Sequence, residues 1–176
     1  MLPKRLDRKT IYKSDWINLY ADKVEMPSGE IIETYHQLDY PNDAVVVLLT
    51  NNEGEVCFVK ALRYTTQRIQ WELPAGGVEK GEDIITTAKR ELLEETGYQA
   101  KDLRVVYSFN PSNGMSNEVV HIVNGDLLDV ERIEFDKDEI QEVQWLSIGT
   151  IKQLIELGEV MDGISLIAIL FYLNQI

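Results

Sequence analysis

The chain has 176 residues, of which 44% are apolar and 27% are charged, and its formal net charge at neutral pH is −13. This composition describes one acidic globular domain that is long enough to fill a core without metal or disulfide staples. The negative charge argues against a nucleic acid or an anionic membrane as the main partner, because either would be approached against electrostatic repulsion.

Two strands and a turn are predicted near the N-terminus. Residues 15–26 mix aromatic and β-branched residues with polar ones, and residues 31–38 alternate between apolar and polar. The tetrapeptide 27–30, Pro-Ser-Gly-Glu, favours a turn between them. We therefore expect an antiparallel hairpin within an N-terminal extension at residues 1–40.

A second pair of strands is predicted at 44–50 and 56–64. These segments flank Asn51–Gly54, which has the composition of a hairpin turn. Further along, Pro74–Gly77 contains a proline and two consecutive glycines, and this composition predicts a loop.

A helix is predicted from Asp83 to Thr96. Ile85, Ala88 and Leu92 follow one another at helical spacing, so they define one apolar face. Gly97 suits the position just after the last turn, where a left-handed backbone conformation ends many helices.

The remaining elements complete an alternation of strands and helices. They are strands near 103–109, 117–128 and 140–146, and helices near 148–157 and 163–174. The apolar run Ile164–Leu173 is about half the length that would span a bilayer, so we expect a core helix there. The order of elements predicts an α/β or α+β sandwich formed by a single domain over residues 1–176.

The cysteine content and the N-terminal residues predict the cellular compartment of the protein. Cys57 is the single cysteine, which excludes an intramolecular disulfide framework, and we expect it to be a buried strand thiol. The first thirteen residues are basic but are not followed by an apolar segment of the secretory type. We therefore expect a cytoplasmic protein.

Three glutamates in the predicted helix form a candidate metal site. Glu91, Glu94 and Glu95 are spaced i, i+3 and i+4, so they repel one another near the negative end of the helix dipole. A hard divalent cation would turn that repulsion into binding, and Mg²⁺ suits carboxylates and phosphate oxygens best. The alternative is a solvated charge run, although Glu95 borders the buried stripe through Leu92 and Ala88. Arg90 can compensate part of the charge, and Glu82, two turns earlier, is a candidate to hold Arg90.

Around these glutamates the sequence resembles the Nudix box, G-x5-E-x7-R-E-U-x-E-E-x-G-U, in which U is aliphatic. The matching residues are Gly76, Glu82, Arg90, Glu91, Glu94, Glu95 and Gly97. Tyr98, at the last U, is the one departure. The resemblance implies a Nudix-type α/β/α sandwich with a mixed sheet, in which residues 41–176 are the catalytic core.

The resemblance also implies roles for individual residues. Glu91 and Glu95 would be the principal metal ligands, with Glu94 a further ligand and the backbone carbonyl near Ala75 completing the site. Arg90 and Glu94 would support catalysis, whereas three residues would organise the loop and the helix: Gly76, Glu82 and Gly97. The implied cofactor is Mg²⁺, with Mn²⁺ as a substitute, and the implied reaction is in-line attack of water on a nucleoside diphosphate derivative.

A narrower resemblance points to the ADP-ribose pyrophosphatase branch. It rests on Leu62-Arg63-Tyr64, on Trp71–Gly77 and on Gly158–Gly163. That branch has a proline slightly further beyond the box than Pro111, and Asn113 stands at the expected place. This departure leaves the exact nucleotide sugar open.

An acid-rich segment from Asp126 to Glu142 contains only Arg132 and Lys137 as basic residues. In the resembling branch a glutamate on such a loop binds metal or acts as general base when a mobile loop closes over substrate. Glu139 aligns best with that glutamate, and Glu142 is the reserve. The alternative is a solvated loop.

Substrate contacts are expected from five residues: Arg63, Trp16, Tyr20, Gly114 and Met115. The Arg63 guanidinium suits a phosphate, although a strand arginine is often simply exposed. Trp16 and Tyr20 have rings that can stack on a base or pack in a dimer interface.

The leading functional hypothesis is Mg²⁺-dependent hydrolysis of ADP-ribose to AMP and ribose 5-phosphate. One alternative is a Nudix hydrolase of GDP-mannose, NADH or a dinucleoside polyphosphate, and another is a catalytically silent nucleotide sensor. The sensor would be favoured by loss of a box glutamate, but all three are present. The branch resemblance further implies a homodimer whose N-terminal strands contribute to the partner's site.

Overall fold

The computed structural model describes residues 1–176, which form ten strands and three helices. In chain order they are β1 (Lys4–Lys13), β2 (Asn18–Glu25), β3 (Ile31–Asp39), β4 (Ala44–Thr50), β5 (Val56–Arg63), β6 (Arg68–Glu72), β7 (Ala75–Gly77), α1 (Ile84–Thr96), β8 (Ala100–Phe109), β9 (Val120–Leu127), β10 (Ile140–Leu146), α2 (Ile148–Glu156) and α3 (Gly163–Leu173). None of the three helices is long and apolar enough to cross a membrane.

The chain divides into two compact units. The first contains Met1–Asp43 and Asn110–Val119, and the second contains Ala44–Phe109 and Val120–Ile176.

The first unit is built on a three-stranded antiparallel sheet in the order β1-β2-β3. The predicted hairpin is confirmed in β2 and β3. Strand β1 was not predicted, because nearly all of its residues are exposed and it therefore lacks the apolar alternation that signals a strand.

A charged pair joins the strands of this sheet. Arg8 donates to both oxygens of the buried Asp22 carboxylate, at 2.8 and 2.7 Å, and to Gln37 at 2.7 Å. The guanidinium lies over the Tyr20 ring, 4.0 Å from its centroid. The hydrogen bond from Arg8 lowers the pKa of Asp22 below its usual range.

The segment Asn110–Val119 belongs to the same unit through contacts with β3 and the residue after it. Met115 accepts the Leu38 N–H at 2.9 Å, and the Gly114 carbonyl accepts the Tyr35 hydroxyl at 2.6 Å. This unit therefore holds four of the five residues expected to contact substrate, namely Trp16, Tyr20, Gly114 and Met115.

The second unit contains a seven-stranded sheet in the order β10-β5-β4-β9-β8, with β6 paired to β5 and β7 paired to β4. Strands β4 and β9 run parallel, so the sheet is mixed. The predicted pair β4 and β5 exists but is bonded only at Thr50 and Val56. Val45 and Val46 of β4 instead pair with Gly76 and Ala75 of β7.

The loop predicted at Pro74–Gly77 is therefore wrong for its last three residues. Ala75–Gly77 is strand β7, antiparallel to β4. Its small residues carry no apolar alternation, so the backbone pairing with β4 is what makes it a strand.

Alternate residues of β4 face two cores. Val46 and Leu48 pack in a cluster with α2 and α3, whereas Val45, Val47 and Leu49 pack with α1. Helices cover both sides of the sheet, which confirms the predicted α/β/α sandwich.

The remaining core expectations have mixed outcomes. Cys57 is a buried strand thiol as predicted, and burial raises its pKa to about 12. Helix α3 buries Ala168 and Ile169, but Ile167 and Leu170 are exposed. The expectation of a core helix therefore holds for only one side of α3, because an apolar run carries no amphipathic pattern from which its buried side can be read.

We predict that Asp22→Asn lowers the free energy of unfolding of the first unit by roughly 1–3 kcal/mol, because it removes a charged hydrogen-bond acceptor that is buried. The parent should also lose this stabilisation in acid. The pair contributes fully above the unfolded-state pKa of about 3.9, and its contribution falls as the pH drops through the lowered folded-state pKa.

Urea unfolding between pH 2 and 7 would test both statements. Lys23→Gln is the matched control, because it breaks an exposed ion pair with Glu33 in the same sheet, which we expect to contribute at most about 1 kcal/mol. Equal losses for the two variants would contradict a special role for the buried pair.

Candidate active site

Helix α1 carries the candidate carboxylates, and both of its ends are defined by capping. Asp83 accepts the Thr86 N–H at 2.8 Å as N-cap, and Gly97 ends the helix with a φ of 71°. A Cβ on Gly97 would also collide with the backbone carbonyl of Ile133. The glycine is thus required by the helix end and by the close approach of a second segment.

Glu95 lies on the buried side of α1 and is only 6% exposed. Its Oε2 accepts the Ala75 N–H at 3.0 Å, which ties the helix to β7. Burial raises the pKa of Glu95 to about 8, and the negative charges of Glu91 and Glu139 act in the same direction, whereas Arg63 opposes them. Ionising Glu95 is therefore costly in this site unless a positive charge is bound beside it.

Glu91 lies one turn earlier and packs against Gly76. A Cβ on Gly76 would overlap the Glu91 carboxylate, so the missing side chain makes room for it. Burial raises the pKa of Glu91, and the charges of Glu94 and Glu139 add to this effect. Glu91 and Glu95 thus approach β7 side by side.

Arg90 connects the residues that surround these carboxylates. It donates to both oxygens of Glu82, at 2.9 and 3.0 Å, to Glu91 at 2.8 Å and to the Gly77 carbonyl at 3.0 Å. The structure thereby shows the Arg90–Glu82 contact that the sequence predicts. Hydrogen bonds from Arg90 and then Thr87 lower the pKa of Glu82 to about 2.

Glu94 is placed differently from its two neighbours. Its side chain is 54% exposed, and it accepts a hydrogen bond from Arg90 at 3.0 Å. The structure thus brings Glu91 and Glu95 together on the β7 side and leaves Glu94 on the solvent side of the cluster.

The two loop glutamates are also separated by the fold. Glu139 is exposed in the turn before β10, and its charge raises the pKa of both Glu91 and Glu95. Glu142 lies within β10, paired with Lys60 at 2.8 Å and hydrogen-bonded by Gln144, and these contacts lower its pKa. Glu139 is therefore within electrostatic reach of the helix carboxylates, whereas Glu142 is paired with Lys60.

Arg63 is held by a residue that sequence reasoning missed. Its Nη2 donates to Glu72 at 2.5 Å and its Nε donates at 3.0 Å, and Glu72 is only 2% exposed. The available signal was an acid between Trp71 and Leu73, because a carboxylate among apolar residues needs a cation. Arg63 is therefore a half-exposed, oriented guanidinium and not a free surface arginine.

The aromatic candidates of the first unit differ in accessibility. Trp16 is 79% exposed, whereas one face of the Tyr20 ring is covered by Arg8. Trp16 is thus the more accessible of the two aromatic residues.

The carboxylates fit a divalent cation by their chemistry. The donors are hard oxygens, and the raised pKa of Glu95 reflects the cost of ionising a buried carboxyl, which a bound cation would offset. No three acidic, histidine or cysteine side chains are arranged as a ready-made cage. Mg²⁺ usually keeps several waters and binds through one or two carboxylates and substrate phosphates, so it suits this donor set.

Comparison with known families gives the same assignment. Residues 40–164 match the NUDIX domain, and residues 3–38 match the nucleoside diphosphate sugar hydrolase N-terminal domain. The chain belongs to the Nudix family and is a Nudix hydrolase. Nudix hydrolases generally use divalent metal ions.

Individual relatives confirm the resemblance to the ADP-ribose pyrophosphatase branch. The chain is 38% identical to the "ADP-ribose pyrophosphatase" of Bacillus subtilis (strain 168), over 91% of this chain and 86% of the relative. It is 30% identical to the "Methanol dehydrogenase activator" of Bacillus methanolicus, over 94% and 90%. A crystal structure of an "ADP compounds hydrolase" shares the fold, with a TM-score of 0.85 at 20% identity over 99% of this chain and 94% of that one.

We predict that Gly76→Ala weakens divalent-cation binding by at least about tenfold, since metal affinity falls about 10–100-fold when the support of a ligand is lost. The added methyl group would push the Glu91 carboxylate away from β7. The flexible side chain can turn aside, so the fold should survive.

Titration calorimetry with Mg²⁺ and Mn²⁺ would measure this change. Gly77→Ala is the matched control, because a Cβ at that position meets nothing within 4 Å. Equal affinities in the two variants would show that the Glu91–Gly76 contact is irrelevant to cation binding.

Proposed function

We propose that this chain hydrolyses the diphosphate bond of ADP-ribose to give AMP and ribose 5-phosphate, with Mg²⁺ as its cofactor and Mn²⁺ as a substitute. The observation that carries the proposal is that buried Glu95 and partly buried Glu91 of α1 lie against β7, with Glu139 within electrostatic reach. The name and high coverage of the Bacillus subtilis relative support the choice of substrate.

In this proposal Glu91 and Glu95 hold the cation, the Ala75 carbonyl completes its protein ligands, and Glu94 is a further ligand. The bound ion supplies charge neutralisation at the diphosphate and makes a water molecule more acidic. Arg90 keeps Glu91 and Glu94 in place while its own position is fixed by Glu82.

Glu139 is the proposed general base, which accepts a proton from the attacking water. It is exposed and bears no ion pair with Lys60, unlike Glu142, so its oxygens are free to face solvent and substrate. Arg63 would donate to a substrate phosphate with the part of its guanidinium that Glu72 leaves exposed.

We further propose that the protein works in the cytoplasm as a homodimer. Residues 1–40 form the extension, and Trp16, with its open ring, would stack on the adenine of a bound nucleotide. Tyr20, Gly114 and Met115 would complete the contacts of the first unit with substrate.

Other nucleotide derivatives are alternatives to ADP-ribose as the proposed substrate. Asn113 stands where the resembling branch has proline, and one relative bears the name "Methanol dehydrogenase activator". GDP-mannose, NADH and a dinucleoside polyphosphate therefore belong in the same assay. A silent sensor is less well supported, because Glu91, Glu94 and Glu95 are all present.

We predict that purified protein releases AMP and ribose 5-phosphate from ADP-ribose only when Mg²⁺ or Mn²⁺ is present. Chromatography of the products across the substrate panel would measure this, with a chelator added to half of the reactions. Glu95→Gln should lower turnover by at least about 100-fold, because it removes a ligand while keeping the size of the side chain.

Activity that survives the chelator would overturn the metal-dependent reaction. A preference for another nucleotide would change the substrate and leave the hydrolase assignment intact. Nucleotide binding without turnover of any substrate would favour the sensor.

We predict that Glu139→Gln lowers kcat by about 10²–10⁴-fold with little change in KM, since the proton transfer stabilises only the transition state. Glu142→Gln is the control and should retain turnover, because Glu142 is paired with Lys60. Steady-state kinetics at several Mg²⁺ concentrations would separate the roles. Rescue of Glu139→Gln by excess Mg²⁺ would indicate a metal ligand, and a large loss in Glu142→Gln alone would reverse the assignment.

A further inference from the structure

The segment that precedes Glu139 is fastened to the carboxyl end of α1. We name residues 129–139 the docking loop. The N–H of Ile133 donates to the Gly97 carbonyl at 3.1 Å, and the N–H of Asp136 donates to the Glu94 carbonyl at 2.8 Å. These bonds use carbonyls that a helix end leaves without helical partners.

Arg132 adds a side-chain bond at the same helix end. Its Nε donates to the Thr96 carbonyl at 2.8 Å. Its guanidinium lies over two aromatic rings, 4.6 Å from the Tyr98 centroid and 5.2 Å from the Phe135 centroid. A planar cation is suited to stacking and donating together, and a positive charge is favoured at the carboxyl end of a helix.

One of the two aromatic rings in contact with Arg132 belongs to Tyr98, the one residue that departs from the Nudix box. Tyr98 stands where the box has an aliphatic residue, and its ring contacts both Arg132 and Trp145 of β10, the latter at 5.3 Å between centroids. The departure therefore gives the docking loop an aromatic platform that an aliphatic side chain would not provide.

Hydrogen bonds also order the residues between Asp136 of the docking loop and Glu139. Asp136 accepts the Asp138 N–H at 2.8 Å through its side chain and the Ile140 N–H at 3.0 Å through its carbonyl. The Glu139 carbonyl accepts the Leu62 N–H at 2.8 Å. The backbone at Glu139 is thus fixed to β5 on one side and, through Asp136, to α1 on the other.

We propose that Arg132 is a positioning residue that holds the docking loop on the end of α1 and so places Glu139 over Glu91 and Glu95. This inference rests on the proposed role of Glu139. Arg132 is itself exposed, so its contacts contribute modestly to the stability of the whole fold. Its removal should therefore disturb the placement of Glu139 more than folding.

A double-mutant cycle tests the inference, with kcat and KM measured for the parent, Arg132→Ala, Glu139→Gln and the double variant. We expect Arg132→Ala alone to lower kcat by about 10–100-fold, the effect of displacing a catalytic group by about 1 Å. In the Glu139→Gln background the same change should lower kcat by no more than about twofold, because the group it positions is already lost.

Two further variants control for charge and folding. Lys137→Ala removes the other cation of the docking loop, which is exposed and paired only loosely with Glu134 at 3.6 Å, and it should keep parental turnover. Arg132→Lys keeps a charge that can reach the Thr96 carbonyl and should recover part of the loss. Thermal unfolding of each variant identifies any that fail to fold.

Amide hydrogen exchange supplies a measurement that does not depend on turnover. The N–H groups of Ile133 and Asp136 should exchange at least about tenfold faster in Arg132→Ala than in the parent, because the docking loop opens more often. Unchanged exchange, or losses in kcat that multiply fully in the double variant, would overturn the inference. If Glu139→Gln keeps parental turnover, the proposed base is wrong, and exchange alone then decides whether Arg132 docks the loop.

Discussion

The burial of the Glu95 carboxylate against β7 is the constraint on which the rest of the site depends. A charged group is expensive to remove from water, and one hydrogen bond from Ala75 compensates only part of that cost. Glu91 adds a second carboxylate next to it, with its space supplied by Gly76. The arrangement is unfavourable for the protein alone and becomes favourable when a cation is bound, which is the usual property of a built metal site.

The positive charges around this cluster are held in place by carboxylates of their own. Arg90 is fixed by Glu82, and Arg63 is fixed by the buried Glu72. Both guanidiniums therefore keep a set orientation, and Arg90 at the same time donates a hydrogen bond to Glu91. A chain with a net charge of −13 can in this way present directed positive charge to an anionic substrate.

Helix α1 organises the site because both β7 and the segment that carries Glu139 are bonded to it. Arg90 reaches back to the Gly77 carbonyl, which links the helix to β7. At the other end Gly97 lets Ile133 approach, which links the helix to the segment that carries Glu139. A single helix thus sets the relative placement of the cation ligands and the proposed base, and capping alone fixes where that helix begins and ends.

The sequence by itself determined the features that rest on local spacing. Helical and strand periodicity, together with the box pattern, predicted the limits of α1 and the sandwich architecture. The same pattern predicted that Glu91 and Glu95 share one side of the helix and that Arg90 contacts Glu82. Only the tertiary structure decided that Ala75–Gly77 is a strand and that Glu72 is the buried partner of Arg63. It also decided that Glu139 acts electrostatically on the helix carboxylates, whereas Glu142 is paired with Lys60. The physical reason is that each of these depends on pairing between segments distant in the chain. A glutamate in a loop and a glutamate in a strand have the same chemistry, and only the cation or carboxylate that the fold brings beside each one makes them different.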